Sequence, residues 1–144
     1  MKIIIQKPRN DDEESIIINV RKMNDNLMRI IDMLKNPDTL TVYKDKEAVF
    51  VSVSEIFYIE STAQKTLAYT EDTEYESKLK LYELERKIDA VDFLRVSRQV
   101  LVNVRKIKSI LPGGDSRLIA RLFNGKEIRI SRQYVPALKE RFGL

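Results

Sequence analysis

The sequence predicts a mostly β fold of several small antiparallel sheets with about two structural helices, preceded by an N-terminal β-hairpin and helix. Three observations carry that expectation. Apolar residues recur at every second position, as in Val49, Val51 and Val53 against Phe50, Ser52 and Ser54, which is the side-chain period of a strand. Turn-forming residues separate such segments, among them Pro112-Gly113-Gly114-Asp115 and Asn124-Gly125; Asn-Gly is a strong hairpin signal because both residues tolerate positive φ. Helical spacing, finally, is confined to a few short stretches.

In chain order, strands at Lys2 to Lys7 and Ser15 to Val20 around an acidic turn, Asn10 to Glu14, make the expected hairpin. Met23, Leu27, Ile30, Ile31 and Leu34 then place one apolar stripe on a helix ending near Asn36-Pro37. Pro37 thereby separates an appendage, 1–36, from a domain, 37–144. In the domain, strands Thr39 to Lys44 and Glu47 to Val53 flank Lys44-Asp45-Lys46, and strands Ile56 to Glu60 and Thr66 to Thr70 flank the polar loop Ser61 to Lys65. Ser77 is the expected N-cap of a helix carrying Leu81, Leu84 and Ile88. Further strands are expected near Leu94 to Ser97, Ile107 to Leu111, Arg117 to Phe123 and Lys126 to Ser131, and a helix from Tyr134 to Phe142 closes the chain before Gly143.

With 144 residues the chain can bury a single core. It contains neither Cys nor His, which removes thiol nucleophiles, disulfides, the commonest general base and the commonest zinc ligands together. No catalysis, cofactor or metal site is expected. Glu71, Asp72, Glu74 and Glu76 alternate along one segment, and such a row reads more simply as a solvated strand face than as a cation site. No stretch approaches the roughly 20 apolar residues of a membrane span, and Met1 to Lys7 carries a run of only three isoleucines, so neither span nor signal peptide is expected. A cytoplasmic location follows as an expectation.

The net charge of +4 is uneven along the chain. Residues 94–144 hold 12 Lys and Arg against 3 acids, whereas 37–93 hold 7 against 13. A cationic last third concentrates positive potential where a polyanion could sit, and the acidic middle limits indiscriminate binding. Three polar interruptions fall in this domain: Ser61-Thr62-Ala63-Gln64-Lys65, Ser97-Arg98-Gln99 and Ser131-Arg132-Gln133. Arg can bridge two acceptors on a guanine edge, Gln can do so on adenine, and Lys, Ser and helix-start amides hold phosphates. Spacing alone leaves open the plainer alternative, in which Ser97 and Ser131 are caps and the arginines are surface charges.

The strings VFVSVSEIFYIES (49–61), FLRVSRQVLVN (93–103), Ile107 to Ile110 and NGKEIRISRQY (124–134) resemble, in order and with matching spacing, the signature blocks of the LytTR DNA-binding family over about residues 38–142. That resemblance implies sequence-specific binding of double-stranded DNA, with loops rather than a recognition helix entering successive major grooves, and regulation of transcription. Carried over residue by residue, it implies base contacts from Lys65 or Gln64, Arg98 and Arg132, with Gln64, Ser97, Gln99, Ser131 and Gln133 in support or on phosphates. The first loop lacks the His that some relatives carry, and Arg98 stands where others have a shorter polar residue, so the preferred operator stays open. Thirty-six residues are too few for the receiver domain of many family members, and the chain resembles the short stand-alone regulators.

The appendage, with Ile3 to Ile5 and Ile16 to Ile18, is a candidate homodimer contact on a repeated DNA site; packing on its own domain is the alternative. Two other classes remain in play. An RNA-binding module would need Phe50, Phe57 or Tyr58 exposed for base stacking. An interaction module would dock its N-terminal part on a membrane protein or a signalling partner.

Overall fold

The computed structural model describes residues 4–7, 9, 16–35, 38–88 and 92–144. The chain divides into two units, Met1–Lys35 and Asn36–Leu144. In the first, Asn24 starts helix α1 (Asp25–Lys35): its Oδ1 accepts from the Leu27 amide at 2.8 Å and its carbonyl from the Met28 amide at 3.0 Å. The expected hairpin is not formed among the described residues. Residues 4–7 and 16–20 contain no strand, and the turn Asn10 to Glu14 lies outside the described residues. A two-stranded ribbon is marginal without a surface to cover it, and Ile4, Ile5, Ile16 and Ile17 are all exposed.

In the second unit, β1 (Thr39–Lys44) and β2 (Glu47–Ser52) pair antiparallel from Thr39↔Ser52 to Lys44↔Glu47. Asp45 and Lys46, at φ 50° and 68°, make the reversal in the left-handed conformation that fits strand twist. There follow β3 (Tyr58–Ser61), β4 (Thr66–Tyr69), β5 (Glu74–Ser77), helix α2 (Leu81–Lys87), β6 (Phe93–Arg95) and β7 (Val100–Asn103). These seven strands form one antiparallel sheet in the order β2-β1-β5-β4-β3-β7-β6. A single partner pair, Tyr43↔Glu76, joins β1 to β5, so the β1–β2 hairpin is nearly a sheet by itself. A second sheet, ordered β10-β9-β8, is built from β8 (Ile107–Gly114), β9 (Arg117–Leu122) and β10 (Glu127–Ile130), and α3 (Val135–Phe142) ends the fold. Among the described residues no helix is long and apolar enough to cross a membrane.

Two local expectations are corrected. Ser77 is not the cap of α2 but the last residue of β5; its Oγ accepts from the Leu79 amide at 3.1 Å, and Lys80 occupies the cap position, its amide donating to Glu83 at 3.2 Å. The reversal expected at Pro112 to Asp115 falls later, at Asp115 and Ser116 (φ 50° and 62°), because β8 continues through an irregularity between Pro112 and Gly114. Proline is tolerated there since β8 is an edge strand.

Alternate side chains of β3 and β7 feed two cores. The Ile59↔Leu101 pair joins Leu81, Leu84 and Ile88 around α2. Its neighbour, Tyr58↔Val102, joins Ala120, Leu122, Ile128 and Ile130 of the second sheet and Leu138 of α3. The middle of the large sheet is thus covered on both faces, which holds the ends of β3, β6 and β7 rigidly.

Candidate nucleic-acid interface

Each polar loop is closed by its own short hydrogen bonds. After β3, the Thr62 amide donates to the Lys65 carbonyl at 2.7 Å, and the Thr62 hydroxyl is 3.2 Å from both the Lys65 amide and carbonyl, which leaves Gln64 and Lys65 exposed at the turn. Between β6 and β7, the Val96 amide donates to the Val100 carbonyl at 3.0 Å and the Gln99 amide to Ser97 Oγ at 3.2 Å. Arg98 and Gln99 project there, exposed. After β10, Arg132 to Tyr134 form one 3-10 turn, closed by the Tyr134 amide on the Ser131 carbonyl at 2.9 Å, with Arg132 and Gln133 exposed.

Two backbone hydrogen bonds then bring the three loops together. The Ser61 amide donates to the Gln99 carbonyl at 2.8 Å, and the Ser131 amide donates to the Val96 carbonyl at 2.9 Å. The middle loop is therefore fastened to both of the others. Its shape is further held by Arg95, whose side chain is only 22% exposed. Arg95 Nε donates to the Ser97 carbonyl at 2.8 Å, Nη2 to the Arg98 carbonyl, and Nη1 pairs with Glu85 of α2. Arg132 Nε donates to the Asp115 carbonyl in the β8–β9 turn at 3.1 Å. Of the two serines weighed as caps, Ser97 does close its own turn, whereas the Ser131 side chain makes no cap hydrogen bond.

Sequence reasoning missed three arginines of this region. Arg95 is the anchor just described. Arg117 and Arg129 line an open cleft with Ile130, Ser131, Arg132 and Gln133. A signal for the latter two was present: Leu118, Ala120 and Leu122, and likewise Ile128 and Ile130, take the buried or part-buried phase of their strands, which leaves Arg117 and Arg129 on the outer face. The arginines divide by their partners. Arg95 pairs with Glu85, Arg105 with Asp92 at 2.7 Å and Arg121 with Glu127 at 2.9 Å; the hydrogen bond and charge of Asp92 hold the Arg105 guanidinium still more firmly protonated. Arg98, Arg117, Arg129 and Arg132 have no such carboxylate partner among the described residues.

Of the aromatic residues that RNA stacking would need, Phe57 and Tyr58 are buried and only Phe50 is exposed. Tyr58 lies flat on Tyr69, ring centroids 4.3 Å apart, and its phenol is pushed up to about 12, first by burial and then by Tyr69, Glu60 and Glu74. Asn103 is buried too; its amide group donates to the Ile56 carbonyl at 2.9 Å and its Oδ1 accepts from the Arg105 amide at 3.0 Å, fixing the exit from β7. Among the described residues no group of three acidic, His or Cys side chains is arranged to hold a metal ion.

Fold and site together define a β-rich DNA-binding domain. The chain belongs to the LytTr DNA-binding domain family, whose model matches residues 46–143. It is 32% identical to uncharacterized HTH-type transcriptional regulators of Staphylococcus aureus strains NCTC 8325 and COL, over 100% of this chain and 99% of theirs. It also resembles the solved LytTr DNA-binding domain of a Bacillus cereus protein, with a TM-score of 0.71 and 26% identity, over 74% of this chain and 98% of that one. Among the described residues no two α-helices are consecutive in the chain, so the helix-turn-helix in the relatives' names has no counterpart in this element order.

Proposed function

We propose that this domain regulates transcription by sequence-specific binding to double-stranded DNA, reading major grooves through its three inter-strand loops. Lys65, Arg98 and Arg132 address base edges, while Gln64, Ser97, Gln99, Ser131 and Gln133 support them or bind phosphates. The observation that carries this reading is the pair of backbone bonds, Ser61 to Gln99 and Ser131 to Val96, that fastens the middle loop to each of the other two. Lys65, Arg98 and Arg132 are exposed cations of these loops with no carboxylate partner among the described residues. The activity is binding without catalysis, in the cytoplasm, and needs no cofactor. Selection of bound duplexes from a random DNA pool, with RNA as competitor, tests it; enrichment of RNA or of no common sequence would sink it.

The cationic side chains displace condensed counterions from DNA, so affinity is expected to fall steeply with salt. Each neutralised phosphate adds about 0.9 to the slope of log affinity against log salt. A titration with a flat slope would contradict the electrostatic part of this reading.

The regulator acts as a homodimer that sets two domains on two repeats of its site. Supporting this, Ile4, Ile5, Ile16, Ile17 and Ile30 of the N-terminal unit are each at least half exposed, an unusual density of bare apolar side chains. Sedimentation of the full chain is expected to give a dimer, and of a chain starting at Pro37 a monomer. Monomers in both cases, with and without DNA, would show that the appendage has some other role.

A further inference from the structure

We infer that Arg117 and Arg129, with Ser131 between them, clasp one backbone phosphate of the DNA beside Arg132. The inference rests on the DNA-binding reading above and adds residues and a ligand atom class to it. The β9–β10 register pairs Arg129 with Ile119 and Ile130 with Leu118; one step further, it would set Arg117 across from Ser131. Arg117 and Arg129 are therefore diagonal neighbours on one sheet face, within reach of each other's long side chains.

Two like charges within reach of each other repel, and Arg132 lines the same cleft. Four residues further along β9, on the same face, Arg121 is neutralised by Glu127. No carboxylate does this for Arg117 or Arg129 among the described residues. The cleft is thus a concentration of guanidinium donors with a serine and a glutamine side chain and no anion of its own. Arginine's planar fork suits a phosphate, and Ser131 supplies a hydroxyl within the same lining. The fastening of Ser131 to Val96 places this clasp at a fixed offset from Arg98, so one held phosphate would set the register in which the loops meet the bases.

The test uses the full chain and a duplex recovered from the selection. Arg117→Gln and Arg129→Gln are each expected to weaken binding on the order of tenfold at about 0.1 M salt, equally for all sequences, and to lower the salt slope by about one. Both positions are exposed and each change relieves a like-charge repulsion, so melting temperatures should not fall below the parent's. Arg121→Gln, already neutralised by its partner, should leave the slope unchanged. Duplexes with a neutral methylphosphonate at one position at a time locate the atom: one position should cost the parent protein affinity but cost the double variant nothing further, while other positions cost both alike.

Unchanged affinity and slope in both single variants would overturn the clasp, and so would methylphosphonate losses equal in parent and double variant at every position. If the double variant loses binding of inorganic phosphate yet keeps the parent's duplex affinity and salt slope, the cleft is a free-anion site and the assignment to DNA is overturned. If the parent protein itself prefers no duplex, the DNA-binding reading fails with it; if the parent binds selectively and the variants match it, the clasp alone fails.

Discussion

Arg98→Ala is expected to cost about 1–3 kcal/mol of binding to the preferred duplex and to relax selection at one base pair while leaving the others alone. The loop itself should survive the change. Its backbone is held by Arg95 on the Ser97 and Arg98 carbonyls and by Ser61 on the Gln99 carbonyl, none of which uses the Arg98 side chain. What is lost is a long planar donor from a rigid root. Arg132→Ala should produce a loss of the same size at a different base pair, because it stands on another loop; it also forfeits the bond to Asp115, so its melting temperature should be recorded beside its specificity. Lys106 and Lys108 are the comparison: as phosphate contacts, their replacement should weaken every sequence equally and lower the salt slope by about one each. Selection with each variant decides the matter. If both arginine variants lose affinity uniformly with the preferred sequence intact, these residues position the protein and the reading is done elsewhere.

The largest effect on stability is expected from Leu101→Ala, about 2–5 kcal/mol. Leu101 is 1% exposed, lies opposite Ile59 and Arg95 in the covered part of the sheet, and belongs to the core around α2. Truncation there leaves a cavity that neither the strands nor the helix can close without disturbing the loop ends. For a unit of this size, each kcal/mol corresponds to roughly 4–8 °C in Tm. Phe50→Ala, at a side chain 65% exposed on the edge strand β2, should change stability by less than about 0.5 kcal/mol. Denaturant unfolding of the two variants checks the order; a larger loss at Phe50 would mean that the packed face has been misassigned.

Local chemistry made much of the fold legible. β1 spans Thr39–Lys44 as expected on one side of Lys44-Asp45-Lys46, and the Asn124-Gly125 signal does join β9 to β10. Val100 to Asn103 is a strand that period-two reading does not single out, because Leu101 and Val102 enter different cores and the segment reads as an unbroken apolar run. Ser77 has the chemistry of a cap, yet three more residues precede the helix. The N-terminal isoleucines alternate poorly, and the described ones, Ile4, Ile5, Ile16, Ile17 and Ile18, are exposed.

The candidate residues Gln64, Lys65, Arg98, Gln99, Arg132 and Gln133 were legible as polar breaks between apolar runs, and all are exposed. Their assembly was not. Ser61 and Gln99 are 38 positions apart and Val96 and Ser131 are 35 apart, and no spacing rule reaches that far. Nor could composition separate Arg117 and Arg129 from Arg121, since the difference lies in one cross-strand glutamate.

Because the three loops are fastened through main-chain amides and carbonyls, the joinery is indifferent to the lettering. Exchanging residues 64, 65, 98 or 133 for others of similar length disturbs neither of the two bonds that hold the loops together. If these loops read the bases as proposed, a lineage carrying this scaffold can change the operator it answers to by a few surface substitutions, without compensating changes in either core. Drift in target choice and constancy of shape are then separable properties of the same molecule, and two copies in one cell could diverge in the promoters they serve while remaining superimposable in backbone.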